Sequence, residues 1–140
     1  MKLTSILLAS SAMALSAGAA SAIDLTLVSW GGAYQESQLK AYAEPYMAAN
    51  PDVNIIWDES SAEAVAKLRA MNEAGNITWD LVDVTVSDSI RLCDEGLARE
   101  IDFDTELAAA PDGTSATDDF GATVQNGCFV PQIVYSTTFG

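Results

Sequence analysis

The chain has no histidine, only six basic residues, four prolines and two cysteines among 140 positions. The missing histidine removes Ser-His-Asp and Cys-His nucleophile systems and the HExxH zinc site, a large share of secreted hydrolase chemistry. Six basic against twenty acidic side chains give a formal charge of −14. That balance excludes nucleic acid as a partner, because phosphate neutralisation needs clustered Lys and Arg, and it excludes a polybasic membrane-surface helix. Two cysteines without CxxC spacing make no metal or dithiol motif. Gly31-Gly32 belongs to no dinucleotide or P-loop pattern, so there is no phosphate cradle. No cofactor is implied.

Long apolar runs are also scarce. One stretch, Leu3 to Leu15, follows the positive Met1-Lys2 and leads to Ala20-Ser21-Ala22, the pattern of a cleaved secretory signal peptide over 1–22. It is too short, and too diluted by Ser and Gly, to cross about 30 Å of hydrocarbon. An exported, periplasmic product follows as the expectation. In an oxidising compartment Cys93 and Cys128 read as a disulfide rather than as two buried thiols.

From Ile23 onward strands and helices alternate. Leu25 to Trp30 is β-rich and stops at Gly31-Gly32. Leu39, Tyr42, Tyr46 and Met47 recur at helical spacing, with Pro45 expected to kink or restart the helix and Asn50-Pro51 to end it. Val53, Ile55 and Trp57 alternate as a second strand. Ser60 and Glu63 have capping-box spacing ahead of a helix through Val65, Leu68 and Met71 to Gly75. Asp80 to Thr85 predicts a third strand, buried in its middle, and Ser87 or Asp88 a cap for a helix ending at Gly96. Asp102 to Phe120 reads as an exposed loop with one helical turn near Thr105 to Ala109, and Cys128 to Tyr135 as strand-like. The βαβαβα series predicts an α/β fold with a parallel sheet covered by helices.

In such a sheet, ligands bind beyond the carboxyl ends of the strands. Trp30, standing there before two glycines, sets an indole face beside backbone that a ligand can approach closely at Gly31, and Tyr34 adds a second aromatic with a hydroxyl. Spacing alone leaves core packing of Trp30 equally open. The carboxylates Asp58, Glu59, Asp102 and Asp104 match no EF-hand and read as solvated surface.

Ser29-Trp30-Gly31-Gly32-Ala33-Tyr34-Gln35, Ala41 to Tyr46, Trp79 to Val84, Cys93 to Leu97 with Ile101-Asp102, and Cys128 with Ile133 to Ser136 together resemble the periplasmic spermidine/putrescine-type solute-binding proteins of ABC importers. The resemblance runs in order from about Leu25 to Gly140. It implies a type II periplasmic-binding-protein-like lobe with helices on both faces of the sheet, over 23–140. It also implies a partial amino-terminal lobe whose second lobe is absent, with weak or no binding by this chain alone. The function implied is non-enzymatic: a monomer that captures a polyamine or related small cationic or polar solute and delivers it to an inner-membrane ABC permease. Carried over by position, Trp30, Gly31, Tyr34 and Thr85 would contact the ligand, the aromatics through cation–π faces. Ser87 stands where polyamine binders tend to carry a further aromatic. Outside this family, a small secreted carboxylate-dependent enzyme or an acidic interaction module would also suit the composition.

Overall fold

The structure is a computed structural model that describes residues 22–136. The leader expected over 1–22 lies outside the described residues except for Ala22. Three parallel strands, β1 (Ile23–Val28), β2 (Val53–Asp58) and β3 (Leu81–Val82), form one sheet in the order β2-β1-β3. Val28 aligns with Asp58 on one side and Val82 on the other, so all three strands end level and their carboxyl ends share one rim.

Because side chains alternate across a strand, each face of the sheet takes its own helices. One face carries Val28 and Val82 and packs on α3 (Ala64–Glu73) and α4 (Val86–Asp94), closing a core of Val28, Ala64, Leu68, Trp79 and Leu92. The other carries Leu25, Leu27, Ile55 and Leu81 under Tyr42 and Tyr46, leaving an open groove of about 380 Å³. Helices on both faces of a parallel sheet are the α/β architecture that the pattern predicted.

The run over the second face is α1 (Gly32–Gln38), a π-helical turn (Leu39–Ala43) and α2 (Glu44–Ala49) without a break. Pro45 restarts it as anticipated. Lacking an N–H, it sits in the first turn of α2, and the register shift falls just before it, where the Glu44 amide reaches back to the Leu39 carbonyl.

Several expectations are corrected. The third strand is two residues long, not six. The Thr26 amide donates to the Asp80 carboxylate (2.8 Å), and at the far end the chain turns away at Thr85 to start α4. This strand is an edge, and Leu81 is 61% exposed rather than buried. Ser60 and Glu63 form no capping box: a 3-10 turn (Ser61–Glu63) intervenes, and the Ser60 hydroxyl takes the Lys67 ammonium at 2.5 Å. Thr85, not Ser87 or Asp88, caps α4 by accepting from the Asp88 amide at 3.3 Å.

The segment read as loop holds two short helices, α5 (Phe103–Glu106) and α6 (Ala116–Phe120). Their caps are the Asp102 and Ser115 side chains, and their contact is Phe103 edge-on to Phe120, centroids 5.9 Å apart. Residues 128–136 form no strand, and Val134 is 92% exposed. Their β-prone side chains meet no sheet edge, and without a ladder partner an extended segment gains no strand hydrogen bonds. Cys93 and Cys128 are bridged, with Cα atoms 5.7 Å apart, which fastens this segment to α4.

Candidate functional site

The rim where β1 and β3 end assembles most of the residues singled out from the sequence. β1 stops at Val28 because the chain then turns at two glycines: Gly31 has φ +74° and Gly32 φ +56°. Gly31 also lies under the Glu59 carboxylate, so that a Cβ there would stand 2.9 Å from an oxygen of Glu59. The turn sends α1 back across the rim. Trp30, just before it, is 45% exposed, which resolves the open choice: its indole stands at the surface of the rim, not in the core.

At the same rim runs a polar chain that sequence patterning did not reveal. The buried Ser29 hydroxyl donates to Gln38 Oε1 (2.5 Å), and Gln38 Nε2 donates to Asp83 Oδ2 (2.9 Å). Tyr34 donates its phenol proton to the same Asp83 oxygen at 2.5 Å. Tyr34 and Gln38 are four apart on α1, hence on one helical face, and Asp83 is the first residue after β3. Burial, the Asp83 hydrogen bond and the Asp83 charge push the Tyr34 phenol above its ordinary range, so it stays protonated and keeps donating at neutral pH. Gln38 Nε2 also approaches Gln132 Oε1 (3.4 Å), which brings the disulfide-tethered segment to the same place.

Thr85 lies on this rim as well, with its hydroxyl engaged locally. It caps α4 and donates to Asp88 Oδ2 (2.9 Å). On the β2 side of α1, Gly32, Gln35, Glu36, Leu39, Trp57 and Glu59 surround a cavity of about 380 Å³. Among the described residues no group of three or more His, Cys, Asp or Glu side chains is arranged to hold a metal ion.

Asp58, at the end of β2, belongs to the scaffold. A hydrogen bond from Ser60, supported by the Trp79 indole N–H (3.2 Å) and the Lys67 charge, holds its carboxyl below the usual range against the opposing effect of burial. A folded-state value depressed below the unfolded one makes stability that is present above the unfolded value of 3.8 and lost as pH falls through the folded one. Denaturant unfolding at a series of pH values from neutral downward should therefore show Asp58→Asn losing less stability than the parent below about pH 4. Parallel curves for the two would remove Asp58 from the acid response.

Residues 41–140 match the family of bacterial extracellular solute-binding proteins, and the chain belongs to that family. Among its relatives is a gamma-aminobutyric acid-binding protein of Pseudomonas aeruginosa, 36% identical over 78 residues. That match covers 56% of this chain and 22% of the relative, so the two share a limited part of a longer protein. The segment 41–140 includes Asp83 and Thr85, whereas Trp30 and Tyr34 precede it.

Proposed function

We propose that the chain is the solute-capturing component of an ABC importer. It is exported through the leader at 1–22, acts in the periplasm as a monomer, and passes its ligand to an inner-membrane permease. Trp30, Gly31, Tyr34 and Thr85 are its ligand contacts, and the solute is a polyamine or a related small molecule with a cationic amine. The observation that carries this is the exposed Trp30 indole at a rim shared with Tyr34 and an acidic network. An aromatic face over a site at strand carboxyl ends suits a cation, worth up to about 2 kcal/mol once water is excluded. The resemblance to polyamine binders and the likeness to a gamma-aminobutyric acid-binding protein support the same chemistry, since both ligands carry a primary ammonium.

Membership in a family of solute-binding proteins supports capture rather than turnover. The test is calorimetric titration, with putrescine, spermidine and gamma-aminobutyrate, of the two-lobed protein whose amino-terminal part this chain is proposed to be, since the chain alone is expected to bind weakly or not at all. Heat with at least one amine, and none with an uncharged diol of the same length, is the expected result. Absence of heat with all three amines would remove the assignment. A preference for gamma-aminobutyrate over both polyamines would keep the class and replace the polyamine.

A further inference from the structure

Asp83 is the one carboxylate of the rim network, and no basic side chain compensates it. The basic residues among those described are all engaged elsewhere: Lys40 with Glu36, Lys67 with Ser60 and the Trp79 ring, Arg69 with Glu95, Arg91 with Asp88, and Arg99 with Glu106. Its Oδ2 is occupied twice over, by the Tyr34 phenol at 2.5 Å and Gln38 Nε2 at 2.9 Å. Its Oδ1 accepts no hydrogen bond from the described residues. The amide orientation of Gln38 follows from the same network: Oε1 takes the Ser29 proton, so the NH2 end must face the carboxylate. The side chain is thus held by two neutral donors, half-buried, with one oxygen uncommitted.

A carboxylate with one oxygen free and no basic side chain beside it is a place where a cation can be received. The groups around it select what that cation is. Tyr34, hydrogen-bonded to it, brings an aromatic ring, and Trp30 stands exposed at the same rim; aromatic faces attract a cation and repel an anion. Tyr34 cannot supply its hydroxyl proton to a ligand anion, because that proton is spent on Asp83. Through Asp83 Oδ1, then, the network offers an acceptor to a cation.

We propose that Asp83 receives the ligand's primary ammonium group on Oδ1 while Oδ2 keeps Tyr34 and Gln38 in place. This rests on the assignment of the rim as the solute site and names the group that gives the site its selectivity. A compact ammonium with three donors meets one free carboxylate oxygen without needing the planar two-oxygen match that a guanidinium prefers. Neutral and purely anionic solutes should be refused.

The experiment is NMR on the same two-lobed protein with labelled aspartate carboxyls and tryptophan indoles, at constant ionic strength. The probes are putrescine and the neutral butane-1,4-diol. Asp83 and Trp30 signals are assigned by their loss in Asp83→Asn and Trp30→Phe. The expected result is a saturable shift of both with putrescine, none with the diol, and affinity about tenfold or more weaker in Asp83→Asn. If Trp30 responds saturably while the Asp83 carboxyl moves no more than those of the exposed Asp24 and Asp52, the ammonium contact is overturned and the rim assignment stands. If Asp83 responds and Trp30 does not, the contact is upheld and Trp30 leaves the site. Silence of both overturns both. Should Asp83→Asn fail to fold, the carboxyl shift in the unsubstituted chain still decides.

Discussion

Reducing the Cys93–Cys128 bridge is expected to lower folding stability by about 3 to 4 kcal/mol, the loop-closure value for its 35-residue separation. The effect arises in the unfolded chain, which gains freedom when the cross-link opens. The folded chain should also respond locally. Beyond Phe120 few hydrogen bonds among the described residues return to the rest of the chain: the Ile101 amide reaches the Gly127 carbonyl (2.8 Å) and Gln38 reaches Gln132 (3.4 Å). Urea unfolding of separately prepared oxidised and reduced, alkylated protein measures the first effect, and amide exchange over residues 124–136 the second. Coincident unfolding curves would show that the bridge contributes nothing to stability. Because the segment it tethers carries Gln132 to the rim, opening the bridge should also loosen the site before it loosens the core.

Trp30→Ala is expected to weaken amine binding by about 2 kcal/mol, roughly thirtyfold, while changing stability by less than about 1 kcal/mol. The separation of the two effects follows from burial. Trp30 is 45% exposed, so its removal opens no cavity in the core, whereas Trp79 is 7% exposed and packs among Leu68, Leu92 and Val28. Titration calorimetry of the variant, paired with its thermal midpoint, checks both halves. If binding were unchanged and stability fell by several kcal/mol, Trp30 would be a packing residue and the rim would lose its aromatic wall.

How much of this was legible in the sequence depends on which residues are asked. β1, β2 and the helices that follow them were readable because their apolar positions repeat at the period of the element. β3 was overread. Leu81-Val82-Asp83-Val84 has strand composition, but composition does not tell how many residues find a partner, and the Asp80 carboxylate took the Thr26 amide a longer ladder would have used. Residues 128–136 failed for the same reason. The caps do carry a local signal: Thr85 and Ser115 each precede an Asp by three positions, and each hydroxyl accepts from that Asp amide.

The site was legible only on its aromatic side. Trp30 before paired glycines is conspicuous in any sequence. Asp83 is not, since its significance lies in residues 45 and 49 positions away that fold onto it. A carboxylate at the end of a predicted strand, four-spaced polar residues on the first helix and too few basic residues to neutralise it were all present. What was absent was the knowledge that β3 lies next to β1, and pairing order has no local signature.

The π-helical turn has a geometric effect on the helix that covers this edge. In an unbroken α-helix each residue advances by about 100°, so positions spaced by four wind steadily around the axis, about 40° at each step. Tyr34, Gln38, Tyr42 and Tyr46 would by that rule spiral away from any straight partner. The wider turn at Leu39–Ala43 takes back part of the winding. The four side chains accordingly track β3 from one end to the other, Tyr34 and Gln38 meeting Asp83 at its exit and Tyr42 and Tyr46 standing over Asp80 and Leu81 at its entrance. One helix thus serves as wall to the rim and roof to the groove, and an inserted or deleted residue in that turn would set the two duties out of phase.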